Sequence, residues 1–308
     1  MDISYAPTIL MKLALLFWFY KDLDVCENRL QLLRKFNPDT PIYGLFGGTL
    51  DDAAAFEKRL GTYLNDFYIF TEDRPKEWKW YHGDQMVTHW FRERGRQLAW
   101  DTIFIAQWDM LVFGDVRQRF ASLNKDEILL SGLRPIREVE SWWWYLRPES
   151  QDRGNYLAFL KHVKENYQYN CEPQCCQFIV ACLPRRFLES YSEISQAELG
   201  FLEYKIPIYA QIFGIPFCTN HPYQPWWADD PTTRNTPVLG RALNADVENV
   251  SLRSIAANLL RPRGARIFHP VFQAYPLHLL QRVWHLAREV SAEVIKPRWW
   301  RLRKRFSA

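Results

Sequence analysis

Glycine is scarce in this chain, 13 residues in 308, and none of them forms the loops that hold phosphate in the commonest nucleotide enzymes. No G-x-G-x-x-G follows a strand and no G-x-x-x-x-G-K-[ST] occurs, so a dinucleotide oxidoreductase or a P-loop NTPase has no motif support. A G-x-S-x-G elbow is missing too, which weakens a serine hydrolase reading. Paired cysteine spacing is absent. Of the six cysteines, Cys171, Cys175 and Cys176 lack the C-x2-C pattern of a zinc site, and adjacent Cys175 and Cys176 would point to opposite faces of a strand. They read as structural thiols in a reducing cytoplasm. Long hydrophobic runs are also lacking. Residues 9–20 are apolar except for Lys12, but crossing a bilayer takes about twenty residues, so a buried strand is the expectation.

The excess of positive charge comes from one place. Lys296, Arg298, Arg301, Arg303, Lys304 and Arg305 crowd the last thirteen residues with no acid among them, and removing these six takes the formal charge from +4 to −2. The basic balance therefore belongs to a tail, which argues against a nucleic-acid-binding body. What the chain has in abundance is aromatic side chains, 16% of residues with 14 Trp. Trp-rich surfaces stack on sugar rings or bases, and cores and membrane interfaces use Trp as well.

The first half alternates buried-strand runs with amphipathic helices. Strands are expected at residues 9–20, 41–46, 66–70, 102–112 and 127–130, and helices at 24–35, 51–64 and 83–96. That rhythm predicts an α/β fold with a mostly parallel central sheet covered by helices on both faces. Ligands of such sheets bind at the carboxyl ends of the strands. Those ends here are 20–22, Gly47-Gly48, 71–73 and 107–109. The second half reads as an aromatic loop at 141–153, a helix at 155–167, a strand at 177–183 leading into a helix at 185–191, and a helix within 197–213. A long irregular loop at 220–244, a strand at 265–268 and a helix at 277–290 follow. With no linker or repeat visible, residues 1–290 are expected to form one domain, with a nucleotide-binding half at about 9–135 and an acceptor-side half at about 136–290. Residues 291–308 are a basic aromatic tail.

Four places could carry chemistry. Asp109, in Gln107-Trp108-Asp109, interrupts an apolar run, where a lone carboxylate is costly to bury; a metal or an Arg would satisfy it, and a turn cap is the plain alternative. His269 directly follows a short apolar strand and could ligate a metal, pair with phosphate or be structural. Asp84, after Trp80-Tyr81-His82-Gly83, could reach a ribose hydroxyl or cap a helix. Glu198 and Glu203 lie five apart on an expected helix, so at most one faces a given site as a general base.

Taken together, these elements resemble a nucleotide-sugar-dependent glycosyltransferase of the GT-A fold across about residues 10–272. Residues 37–44 look like the approach to the second strand of such enzymes. Gln107-Trp108-Asp109-Met110-Leu111-Val112 sits where they place an acidic metal-binding motif. Residues 177–188 look like the later strand and helix of the acceptor side. Residues 198–214, with Pro207, Ala210 and Gly214, resemble the carboxylate-bearing helix. Ile267-Phe268-His269-Pro270 looks like the C-terminal strand whose His reaches the metal or diphosphate. One departure stands out: the family commonly has an acid where this chain has Gln107, so one formal charge is missing.

The resemblance implies Mn²⁺ or Mg²⁺ held by Asp109 and His269, acting as a Lewis acid on a departing nucleoside diphosphate. It implies a donor site of Gly47, Gly48, Asp73, Asp84, Gln107 and Asp109, with Glu203 or Glu198 as the base of an inverting displacement; a retaining enzyme would need no such base. Trp143, Trp144, Trp226 and Trp227, in the two irregular loops, would receive a carbohydrate or lipid-linked acceptor, or, for half of them, pack the loops onto the body. The tail, residues 296–308, suits an anionic membrane surface, at about 1 kcal/mol per cation near the lipid. The chain is thus expected to be a cytoplasmic or peripheral hexosyltransferase-type enzyme. The competing readings are a non-catalytic carbohydrate-binding protein on the same fold, which Gln107 favours, and a nucleotidyltransferase, for which Tyr20-Lys21-Asp22 is a poor loop.

Overall fold

The computed structural model describes residues 11–223, 227, 242–243 and 249–278. Along the first part run β1 (Leu13–Phe19), α1 (Leu23–Phe36), β2 (Ile42–Phe46), α2 (Leu50–Leu60), β3 (Asp66–Ile69), α3 (Lys76–Tyr81), α4 (Gly83–Glu93), β4 (Thr102–Gln107) and β5 (Leu111–Val112). There follow α5 (Val116–Arg119), β6 (Leu129–Leu130), β7 (Arg134–Pro135), α6 (Arg153–Tyr167), β8 (Gln174–Cys175) and β9 (Ala181–Pro184). The last are α7 (Arg185–Tyr191), α8 (Leu202–Ile212), α9 (Leu252–Leu259) and β10 (Ile267–Phe268).

Within these residues a six-stranded sheet has the order β3-β2-β1-β4-β9-β6. The pairs β3-β2, β2-β1 and β1-β4 are parallel, and β9 runs antiparallel to both β4 and β6. The expected mostly parallel α/β architecture is therefore present. All seven residues of β1 are buried, as a central strand covered on both faces must be. Its alternate side chains feed two apolar layers. Leu13, Leu15, Phe17 and Phe19 meet Val25, Leu30 and Leu33 of α1 and Phe56 of α2. Ala14, Leu16 and Trp18 face Met86 and Trp90 of α4, Tyr191 of α7 and Tyr204 of α8. Each fully buried Leu or Phe in these layers contributes about 1.5–3 kcal/mol.

Local chemistry sets the helix ends. Asp22, in the left-handed region at φ 58°, caps α1 by accepting the Val25 N–H at 3.3 Å. Asp51 and Asp52 occupy the first turn of α2, and Lys58 and Arg59 its last, complementing the helix dipole.

Several expected elements differ in extent. The run at 102–112 is not one strand. After Gln107 the Met110 N–H returns to the Gln107 carbonyl at 2.9 Å, and Leu111–Val112 leave the main sheet to pair antiparallel with Ile267–Phe268. The strand expected at 177–183 begins at Ala181, because Ser131 and Glu203 hold the preceding residues in a turn. The helix within 197–213 begins at Leu202. Most of the expected loop at 220–244, most of the helix at 277–290 and the whole tail at 291–308 lie outside the described residues. No helix among the described residues is long and apolar enough to cross a membrane. The cysteines are free thiols, and all but Cys171 are buried; burial pushes Cys175, Cys176 and Cys182 well above the ordinary thiol range.

Candidate functional site

Because β1 to β4 are parallel, their carboxyl ends open on one edge, and the turn after β4 puts Asp109 there. The β5–β10 pairing then brings a segment 160 residues away to the same spot. Phe268 registers with Leu111, and the Val271 N–H donates to the Asp109 carbonyl at 2.7 Å. His269 is carried between these bonds, and its Nε2 lies 3.5 Å from Asp109 Oδ1. Both residues are buried, and Asp109 Oδ1 makes no hydrogen bond.

The segment after His269 is clamped by two residues of α1 that the sequence reading did not single out. Asn28 donates to the Tyr275 carbonyl at 2.9 Å and accepts the Tyr275 N–H at 2.7 Å. Arg29 donates to the carbonyls of Val271 and Gln273 at 2.6 and 2.8 Å. Burial lowers the Arg29 pKa to about 10, with the Asp109 carboxylate acting in the opposite direction. A signal was available: Arg29 sits four residues from both Val25 and Leu33, inside the apolar stripe of its own helix.

Gly47, Gly48 and Asp73 gather around Lys79 at the ends of β2 and β3. Lys79 Nζ donates to the Gly47 and Gly48 carbonyls at 2.8 and 3.3 Å. Burial lowers the Lys79 pKa, and Asp73 opposes that shift. A side chain at Gly47 would strike Met86 at 2.2 Å, and one at Gly48 would meet Phe46 at 2.4 Å. The close approach these glycines allow is thus to the protein's own core.

Gln107 and Glu203 hold the two ends of one residue. Gln107 Nε2 donates to the Phe178 carbonyl at 3.0 Å, and Glu203 Oε1 accepts the Phe178 N–H at 3.0 Å. Glu203 in the first turn of α8 is thereby linked to the end of β4. Glu198 stands elsewhere on the rim, half-exposed and 2.9 Å from Arg74, which also pairs with Glu72.

Two groups of expected site residues prove to be interior. Asp84 is neither a cap nor open to a ribose. Its Oδ2 lies 2.8 Å from Lys205 Nζ with both side chains buried, and it accepts from Tyr191 Oη at 2.5 Å and Gln85 Nε2 at 2.9 Å. Trp143 and Trp227 are fully buried and pack edge to face at 5.3 Å, so neither can stack on a ligand. Trp144 is 40% exposed. Trp226 lies outside the described residues.

The metal expectation can be tested on donor chemistry. No third His, Cys, Asp or Glu joins a metal-binding group among the described residues. Asp109 and His269 thus offer one oxygen and one nitrogen. The carboxylate suits a hard cation such as Mg²⁺ or Mn²⁺, whose remaining positions substrate phosphates and water would fill, while the imidazole suits Mn²⁺ better than Mg²⁺. Two cavities, of about 330 and 490 Å³, lie beside Phe36, Phe113 and Leu259 and in the 258–265 loop. Neither is lined by a candidate residue.

No family model and no curated protein matches this chain. Among solved structures, a cytidylyltransferase from Leptospira borgpetersenii serovar Hardjo-bovis (strain JB197) is similar at 11% identity, covering 70% of this chain and 80% of its own. The TM-score is 0.38, and a likeness of that degree carries nothing about activity.

Proposed function

We propose that this chain transfers a sugar from a nucleoside-diphosphate sugar to a hydroxyl acceptor, at the carboxyl edge of its parallel sheet. The observation that carries this reading is the Asp109–His269 pair, with an unsatisfied buried carboxylate oxygen 3.5 Å from an imidazole nitrogen. A buried polar atom left without a hydrogen bond is costly, and this one sits where open α/β sheets take their ligands.

On this reading Asp109 and His269 would hold the divalent cation. When bound, the cation supplies Lewis-acid neutralisation of the leaving group. Gln107 and the Gly47–Lys79–Asp73 group line the donor side. Glu203, whose Oε1 accepts the Phe178 N–H, takes the proton of the acceptor hydroxyl if the displacement is inverting; a retaining transfer would need no such base. The 296–308 tail would hold the enzyme against an anionic membrane from the cytoplasmic side.

A second reading, a carbohydrate-binding protein without turnover, is favoured by one observation: Glu203 is already engaged with Phe178.

Thermal unfolding against nucleoside diphosphates, each with and without Mn²⁺, separates the two. Ligand at about a hundred times Kd stabilises by about 2.7 kcal/mol, which such a scan resolves. A shift with one nucleotide that needs Mn²⁺ and disappears in Asp109→Ala and His269→Ala is the expected result. A shift independent of Mn²⁺ overturns the metal assignment, and no shift with any nucleotide overturns the transferase reading.

A further inference from the structure

Among the described residues most aromatic rings are buried or half-buried, and exposed tryptophan is unusual. Trp80 is 55% exposed and Trp144 is 40% exposed, and these two are in contact, with ring centroids 6.0 Å apart and planes 26° from parallel. Single apolar side chains at a surface need no explanation, but a contiguous aromatic patch does.

The patch is firmly supported from below. Phe201 lies 5.4 Å from Trp80 and 6.5 Å from Trp144, and stacks on Tyr145 at 4.5 Å. Tyr81 packs on Phe201 at 5.1 Å, and its hydroxyl receives a hydrogen bond from Asn155 at 2.7 Å. Phe201, Tyr145 and Tyr204 beneath are buried. Two indoles on such a base keep their orientation, so little side-chain entropy remains to be lost when a ligand settles on them.

Its position is informative as well. Trp80 directly follows Lys79, which is bonded to the Gly47 and Gly48 carbonyls at the end of β2. On the other side, Phe201 is the residue just before α8, two positions from Glu203. Glu198, three residues before Phe201, is paired with Arg74 at 2.9 Å. Exposed, rigidly held indole faces suit a ring that is apolar on its C–H face and polar around its edge.

We infer that Trp80 and Trp144 form a carbohydrate-binding platform that takes pyranose units of an oligosaccharide. As the acceptor subsite of the transfer it rests on the function proposed above; as a sugar-binding surface it stands without it. Trp80 replaces the buried Trp143 and Trp227 as the aromatic contact.

The test is titration of the whole chain with cellotetraose, chitotetraose and maltotetraose, followed by saturation-transfer NMR and by tryptophan fluorescence. Wild type is compared with Trp80→Ala, Trp144→Ala and Trp80→Phe. Binding of at least one tetrasaccharide, weakened tenfold or more by either alanine and partly kept by Trp80→Phe, is expected, with the unfolding temperature of each variant close to wild type. Failure of all three sugars to bind, or binding indifferent to both alanines, overturns the platform. So does a Trp80-dependent attachment to phosphatidylglycerol vesicles or self-association in place of sugar binding. The nucleotide scan remains separate. Sugar binding without a nucleotide shift keeps the platform and removes the transfer, while a nucleotide shift without sugar binding does the reverse.

Discussion

Replacing Lys205 with Met would expose how α4 and α8 are held together. Lys205 Nζ is 2.8 Å from Asp84 Oδ2 and donates to the Ala197 carbonyl at 2.8 Å, with no solvent access to the lysine side chain. Met keeps the stem volume and removes the charge, leaving Asp84 with only Tyr191 and Gln85 as donors and with Oδ1 already unsatisfied. Removing one member of a buried pair costs about 3–5 kcal/mol, because the survivor stays charged in a low-dielectric site. Asp84→Asn should cost less, since the amide oxygen still accepts from Tyr191. The double variant should recover much of the loss, because a buried pair replaced as a unit is often close to neutral. Urea unfolding followed by tryptophan fluorescence gives the four free energies of the cycle. A coupling of about 2 kcal/mol or more is expected, within the range found for contacting residues. If the single lysine variant does not fold, recovery of folding in the double variant reports the same coupling. A lysine substitution costing under about 1 kcal/mol, or strictly additive losses, would refute the argument that the pair is buried and interdependent.

The other predictions concern a titration and a pair of neighbours. Burial, with the Lys205 charge second, lowers the His82 pKa from its ordinary 6.5, so the folded state takes up its proton later than the unfolded chain. Its contribution to stability is complete above about pH 6.5 and declines as pH falls below that. Melting temperatures at pH 7.5 and 5.5 should show this decline, and His82→Gln should flatten it; an unchanged pH slope would contradict the assignment. Trp143→Ala should cost about 3–5 kcal/mol by emptying core volume, whereas Trp144→Ala should stay within about 1 kcal/mol. Parallel urea curves would check this, and equal losses would count against the division into buried and exposed rings.

Much of the architecture was readable because it depends on local periodicity. Residues 13–19 are continuously apolar, the stripe of α1 recurs at helical spacing, and Asn37-Pro38 ends it. Asp109 and His269 could be singled out because each follows an apolar strand. Other features depended on long-range contact. Leu111 and Val112 look like a continuation of β4, and only their pairing with Ile267 and Phe268 takes them away. Asp84 is a helix-start acid on any local view, and its lysine lies 121 residues later. Trp142, Trp143 and Trp144 are adjacent in a turn, where neither strand nor helix periodicity tells which ring points inward.

The clamp of Asn28 and Arg29 on residues 271–275 also bears on when the site exists. The Asn28–Tyr275 bonds join positions 247 apart, and Asp109 gains its histidine through the same segment. Closing a loop costs only about 0.6 kcal/mol more for each doubling of its length, so the span is affordable at equilibrium. During synthesis, however, β1 to β4 are complete long before residue 269 is made. A nascent chain of that length therefore carries the strands of the parallel sheet before the segment that brings His269 to Asp109.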